Sequence, residues 1–101
     1  MRRGTFTIRR TSVDTTYCSA YCKTEADLYN ELSAATSKFA SFNSAHEGFA
    51  VLLEEVDELW DEVKAKQGAR EVAKMRKEAI QVAAMAMRFV IDVCDGGRVQ
   101  V

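Results

Sequence analysis

Apolar residues recur at helical spacing in three stretches of the chain, separated by short polar breaks. In the first, Leu28, Leu32, Ala35, Phe39 and Phe42 follow at intervals of four, three, four and three, which predicts one stripe of an amphipathic helix. That helix is expected to begin at Thr24, a capping hydroxyl, with Asp27 placed favourably near the positive helix start. After a break at Ser41 to Ser44, the run Ser44-Ala45-His46-Glu47 has the spacing of a capping box and opens the second helix. Phe49, Leu52, Leu53, Val56, Leu59, Trp60 and Val63 fall within about a third of its circumference and are expected to face the core. It should run to about Lys66 and stop at Gly68.

The third helix is expected from about Ala69 to Val93, with Gly96-Gly97 as its stop. Its apolar face is wide: Val72, Met75, Ala79, Val82, Ala83, Ala86, Phe89, Val90 and Val93 fill one side, and Ile80, Met87 and Ile91 extend it. A polar band of Lys74, Lys77, Glu78, Gln81, Arg88 and Asp92 remains. Two other helices of so short a chain can hardly cover such a face, so this helix is predicted to lie at the centre of an oligomeric bundle.

Composition supports an all-α domain. The 101 residues contain no proline and only 5 glycines, and 48% of them are apolar. That is enough for one domain and too little for two, and no run approaches the ~20 apolar residues of a membrane span. The net charge of −1 hides a division along the chain. Residues 1 to 23 hold five bases and one acid, whereas the rest holds nine bases against fourteen acids. The basic segment, rich in Thr, Ser and Arg, reads as a flexible or short-strand arm, because Thr5 to Arg9 alternates weakly and no helical period is present. It has no secretory h-region. The expected organisation is therefore an arm over 1–23, a helical domain over 24–95 and a tail over 96–101. Five bases spread over the arm are thin support for nucleic-acid binding, and near-neutrality argues against a generic binder. Cys18, Cys22 and Cys94 are odd in number and lack further ligands at zinc-site spacing. They read as free thiols of an intracellular, cytoplasmic protein, with Cys94 acting as a small hydrophobe.

The chemically informative feature is the second helix, where Glu54 to Glu62 carries six carboxylates in nine positions. Glu55, Glu58 and Glu62 form a row at helical spacing, and no lysine or arginine lies between Ala45 and Val63 to offset it. A solvated face is the ordinary reading of such a row. Oxygen ligands without nearby basic partners instead suit a hard divalent cation, Mg²⁺ above all.

Glu54-Glu55-x-x-Glu58, followed after 19 residues by Glu78-x-x-Gln81, resembles the EExxE and ExxD motifs of the MazG-like, all-α nucleoside triphosphate pyrophosphohydrolases. The resemblance covers about half the chain, from His46 to Asp92. It implies an antiparallel helical bundle completed by association into a homodimer or homotetramer. It also implies Mg²⁺-dependent hydrolysis of a nucleoside triphosphate, with a deoxynucleotide expected, to the monophosphate and pyrophosphate, a house-cleaning role in the nucleotide pool. Glu55, Glu58 and Glu78 would then be metal ligands, with Gln81 in the place of the family's aspartate, binding Mg²⁺, or Mn²⁺, more weakly. Asp92 lies about 21 Å along the helix axis from Glu78 and does not replace that carboxylate. Glu54 or Glu58 would orient or deprotonate water. Lys74, Lys77 and Arg88 border the acidic stripe as phosphate-contact candidates. Phe42 and His46 are the base-contact candidates, since Trp60 falls in the apolar stripe. The alternative readings are a catalytically silent nucleotide-binding relative and a helical interaction module.

Overall fold

The computed structural model describes residues 12–65, 68 and 71–96, with residues 12–18 described as backbone only. The described residues form three α-helices: α1 over Ser12–Lys38, α2 over Ala45–Val63 and α3 over Val72–Phe89. The last continues as a π-helical turn over Val90–Cys94. No strand is present among the described residues.

α1 starts at Ser12, not at Thr24, so the second half of the expected arm is helical. Ser and Thr favour caps and turns in isolation, which hides a helix whose only early landmarks are Tyr17 and Tyr21. Without proline or glycine between Thr11 and Lys38, nothing interrupts propagation once the helix is anchored downstream. The expected strand over Thr5 to Arg9 lies outside the described residues, as does the chain beyond Gly96.

The start of α2 follows the expected cap. Ser44 has extended backbone and its hydroxyl accepts from the Glu47 amide at 3.0 Å. The reciprocal bond differs from a standard capping box, because the Glu47 carboxylate takes the Asn43 amide, one residue before the cap. α2 ends at Val63, a few residues before Lys66, where Lys64 donates its amide to the Trp60 carbonyl at 2.8 Å.

α3 lies between the other two helices and packs on both. Asp27 meets Arg76 at 2.8 Å and Ala40 meets Arg88 further along, so α1 and α3 run parallel. Gly48 meets Phe89 while Glu55 meets Glu78, so α2 runs antiparallel to α3. The core is small: Ala35, Ala84 and Met85 are buried, and Leu28, Leu32, Phe42, Val51 and Leu52 pack around them. At Gly48 a Cβ would stand 2.8 Å from the Phe89 ring and 3.0 Å from that of Phe42. Only glycine allows the first turn of α2 to approach the end of α3 this closely.

The expected core stripe of α2 is displaced by about one residue. Gly48, Leu52, Glu55, Leu59 and Glu62 are buried or half-buried, whereas Phe49, Leu53, Val56, Trp60 and Val63 are exposed. Trp60, expected in the core, is 55% exposed. The helix is turned by roughly 100° from the orientation that would bury its most apolar side. Hydrophobic burial alone would oppose that rotation. α3 is flanked on two sides from within the chain, yet Val72, Met87 and Val90 stay exposed, and a continuous exposed apolar row lies on α2.

A buried charged pair locks the opposite end of the bundle. The guanidinium of Arg88, only 3% exposed, donates to the Ala40 carbonyl at 2.8 Å and lies 4.3 Å from the Phe42 ring centre. It also meets Asp92 at 3.8 Å, and Asp92 accepts from the Phe42 amide at 3.2 Å. Arg88 and Asp92 together hold the loop joining α1 to α2. The π turn that carries Asp92 is closed by the Asp95 amide bonding to Val90 O at 2.9 Å, and Gly96 leaves it at φ 88°, a left-handed stop suited to glycine. Cys94, at the end of this turn, is exposed rather than a core hydrophobe.

Candidate functional site

The rotation of α2 turns Glu55 toward α3, where it meets Glu78 across the antiparallel helix pair. Carboxylate oxygens of Glu55, Glu58 and Glu78 all lie within 4.8 Å of one another. Glu55 and Glu58 are three residues apart on one helix face, and α3 contributes Glu78 from the facing turn. Burial, together with the charges of Glu58, Glu78 and Glu54, raises the Glu55 pKa above its ordinary 4.5. Glu78 is raised by burial first and then by Glu58, while nearby Lys77 acts in the opposite direction. Both shifts have the same two causes: first the withdrawal of the carboxylates from water, then the crowding of negative charge around them.

Gln81 stands one turn after Glu78. With its amide nitrogen turned to the carboxylates, it donates to Glu55 at 3.1 Å and to Glu78 at 3.2 Å. An aspartate here would add a fourth like charge. The amide instead bridges two of the carboxylates, and its oxygen becomes a neutral ligand when the amide is reversed.

A cavity of about 580 Å³ opens beside this cluster, within the size range of small-molecule sites. Glu54, Glu55 and Gln81 form its edge toward the triad. Ala34, Ala35, Phe39, Val51 and Met85 supply an apolar lining, and Glu31, Lys38, Ser41 and Asn43 supply polar groups.

The sequence-predicted residues separate into groups. Glu55, Glu58, Glu78 and Gln81 come together, with Glu54 beside them at the cavity edge. Phe42 and Arg88 line the cavity, but the Arg88 guanidinium sits over the Phe42 ring and is engaged by Ala40 and Asp92. Arg88 is therefore placed as a loop anchor, away from the open surface expected of a phosphate contact. Lys74 and Lys77 are exposed on α3, and His46 is exposed on the first turn of α2; none of the three lines the cavity. Cys22 is an exposed free thiol, and the Cys18 side chain lies outside the description.

Glu31 and Asn43 line the cavity and were not singled out from the sequence. A signal for Glu31 existed. It lies at helical spacing from Leu28 and Ala35, at the edge of the apolar stripe of α1, just as Glu55 lies between Leu52 and Leu59 on α2.

Fold and site define the protein as a small three-helix bundle with a carboxylate triad between two antiparallel helices. No family model, curated protein or solved structure matches the chain. No helix among the described residues is long and apolar enough to cross a membrane.

Proposed function

We propose that the protein is a Mg²⁺-dependent nucleoside triphosphate pyrophosphohydrolase of MazG-like type. The observation that carries this reading is the inward rotation of α2, which exposes Phe49, Leu53 and Trp60 while turning Glu55 to meet Glu78. A solvated acidic face needs no such arrangement.

The donor set fits a hard divalent cation: three carboxylates within 4.8 Å, oxygen ligands only, with Glu55 and Glu78 raised by burial and then by their like-charged neighbours. Glu55, Glu58 and Glu78 would hold the ion, with the Gln81 oxygen as a neutral fourth ligand. When bound, Mg²⁺ supplies charge neutralisation for the phosphates and polarises the phosphorus under attack. Glu54, exposed and outside the triad, is the carboxylate left to orient water and accept its proton. Lys74 and Lys77, exposed on α3, are free to reach the outer phosphates of a bound nucleotide. The nucleoside would occupy the adjoining cavity, consistent with a role in clearing unwanted deoxynucleotides. Incubation with each NTP and dNTP in Mg²⁺ tests the reading: stoichiometric pyrophosphate and monophosphate are expected. Release of orthophosphate alone, or no turnover of any triphosphate, would overturn it.

Gln81 specifically favours one second reading, a nucleotide-binding relative without turnover, because it removes a ligand charge from the site. Mg²⁺ binding accompanied by no product would identify that case.

We also propose self-association through α2. Phe49, Leu53, Val56, Trp60 and Val63 recur at intervals of four, three, four and three, forming a continuous exposed apolar row on a chain with a very small core. A second copy is the occupant consistent with the bundle architecture. Light scattering should give a dimer or tetramer for the wild type, and Leu53→Glu with Trp60→Glu should shift it to monomer. A monomeric wild type at high micromolar concentration would sink this proposal.

A further inference from the structure

We propose that the cavity beside the triad selects a nucleobase bearing an exocyclic amino group and rejects thymine and uracil, with Glu31 as the discriminating residue. The inference deepens the proposed nucleotide reading and rests on it. Glu54, Glu55 and Gln81 belong to both the triad region and the cavity edge, so a triphosphate held at the triad directs its nucleoside into the cavity. Phe39, Ala35 and Met85 offer the apolar surface that a base plane requires.

Glu31 is half-buried on α1 and lines this cavity, and its carboxylate makes no hydrogen bond or ion pair with the described residues. An ionised carboxylate only accepts hydrogen bonds, and partial burial removes some of the water that would otherwise satisfy it. The ligand must therefore present a donor. Adenine, cytosine and guanine each carry an amino group at the edge of the ring. Thymine and uracil offer one N–H flanked by two carbonyl oxygens, whose partial charges repel a carboxylate. The side chain of Asn43, on the loop beside α2, lines the same cavity and can donate to the ring nitrogen or carbonyl next to that amine.

Binding of dAMP, dCMP, dGMP and dTMP to the full chain, measured by calorimetry and amide NMR shifts, tests this without requiring hydrolysis. At least one amino-bearing monophosphate should bind at least about tenfold more tightly than dTMP, as expected for a hydrogen bond to a charged acceptor. The shifts should fall on residues around Glu31, Phe39 and Asn43. Glu31→Gln, close in shape, should reduce the ratio to below about threefold, since its amide both donates and accepts. Glu31→Ala should do the same, and unchanged melting temperatures would show that both variants remain folded. Equal binding of dTMP and the other three, an unchanged ratio in both variants, or binding of none of them would overturn the inference. Selective binding with no triphosphate turnover would uphold the base assignment while removing the enzymatic reading. Turnover without base preference would do the reverse.

Discussion

Arg88→Met is expected to lower stability by about 3 to 5 kcal/mol, the usual effect of removing one partner from a buried charged pair. The side chains of Arg88 and Asp92 are 4% and 2% exposed, so Asp92 would be left in a site with little water to receive its charge. The Ala40 carbonyl would lose its 2.8 Å donor and the Phe42 ring its cationic neighbour. With only Ala35, Ala84 and Met85 buried among the described hydrophobic residues, a loss of this size is a large fraction of the roughly 5 to 15 kcal/mol available to a folded domain. Urea and thermal unfolding should show a much reduced midpoint or an unfolded chain at room temperature. Asp92→Asn should be milder, because its amide oxygen still accepts from the Phe42 amide. A loss below about 1 kcal/mol for Arg88→Met would mean that the pair is replaceable, as some buried ion pairs are.

Arg88 also shows where sequence reading stops. A basic residue in a polar band near an acidic stripe has the pattern of a phosphate contact, and nothing local indicates that the α1–α2 loop will close over it. The i,i+4 spacing of Arg88 and Asp92 was visible; the third partner, the loop backbone 48 to 50 residues away, was not. The three helices and the Ser44 cap were legible because they depend on local period and spacing; the meeting of Glu55 with Glu78 across two helices was expected only from the resemblance of the paired acidic motifs. The angular setting of α2 was not. Phe49, Leu53, Val56 and Trp60 form a better hydrophobic stripe than the row that packs inward. Which of two adjacent rows faces α3 depends on contacts such as Gly48 against Phe89, which belong to the tertiary structure. Likewise the start of α1 at Ser12 follows from continuity with an anchored helix and not from its own Ser/Thr-rich composition.

Divalent metal is expected to stabilise the wild type strongly at neutral pH and progressively less as the solution becomes acidic. Glu55 and Glu78 have pKa values raised in the folded protein above an ordinary 4.5. The native state therefore holds more protons than the unfolded chain in the window just above that value. Their favourable contribution is complete below the ordinary value and disappears as pH rises through the raised ones, so in the absence of metal the triad becomes a source of strain toward neutrality. Asp27 acts in the opposite sense: Arg76 and then Lys23 hold it below its ordinary 3.8, and its contribution is lost only in stronger acid. A cation bound by the ionised triad would reverse the neutral-pH penalty. At one hundred times its Kd it adds about 2.7 kcal/mol, or a rise in Tm of about 10 to 20 °C for a domain of this size. Glu58→Gln removes a charge that helps to raise both groups, so it should melt higher than wild type without metal at pH 7 and gain little from Mg²⁺ or Mn²⁺. The two proteins should exchange order when metal is added. Equal metal-induced shifts in both, or none in the wild type up to millimolar Mn²⁺, would show that the three carboxylates do not form the cation site.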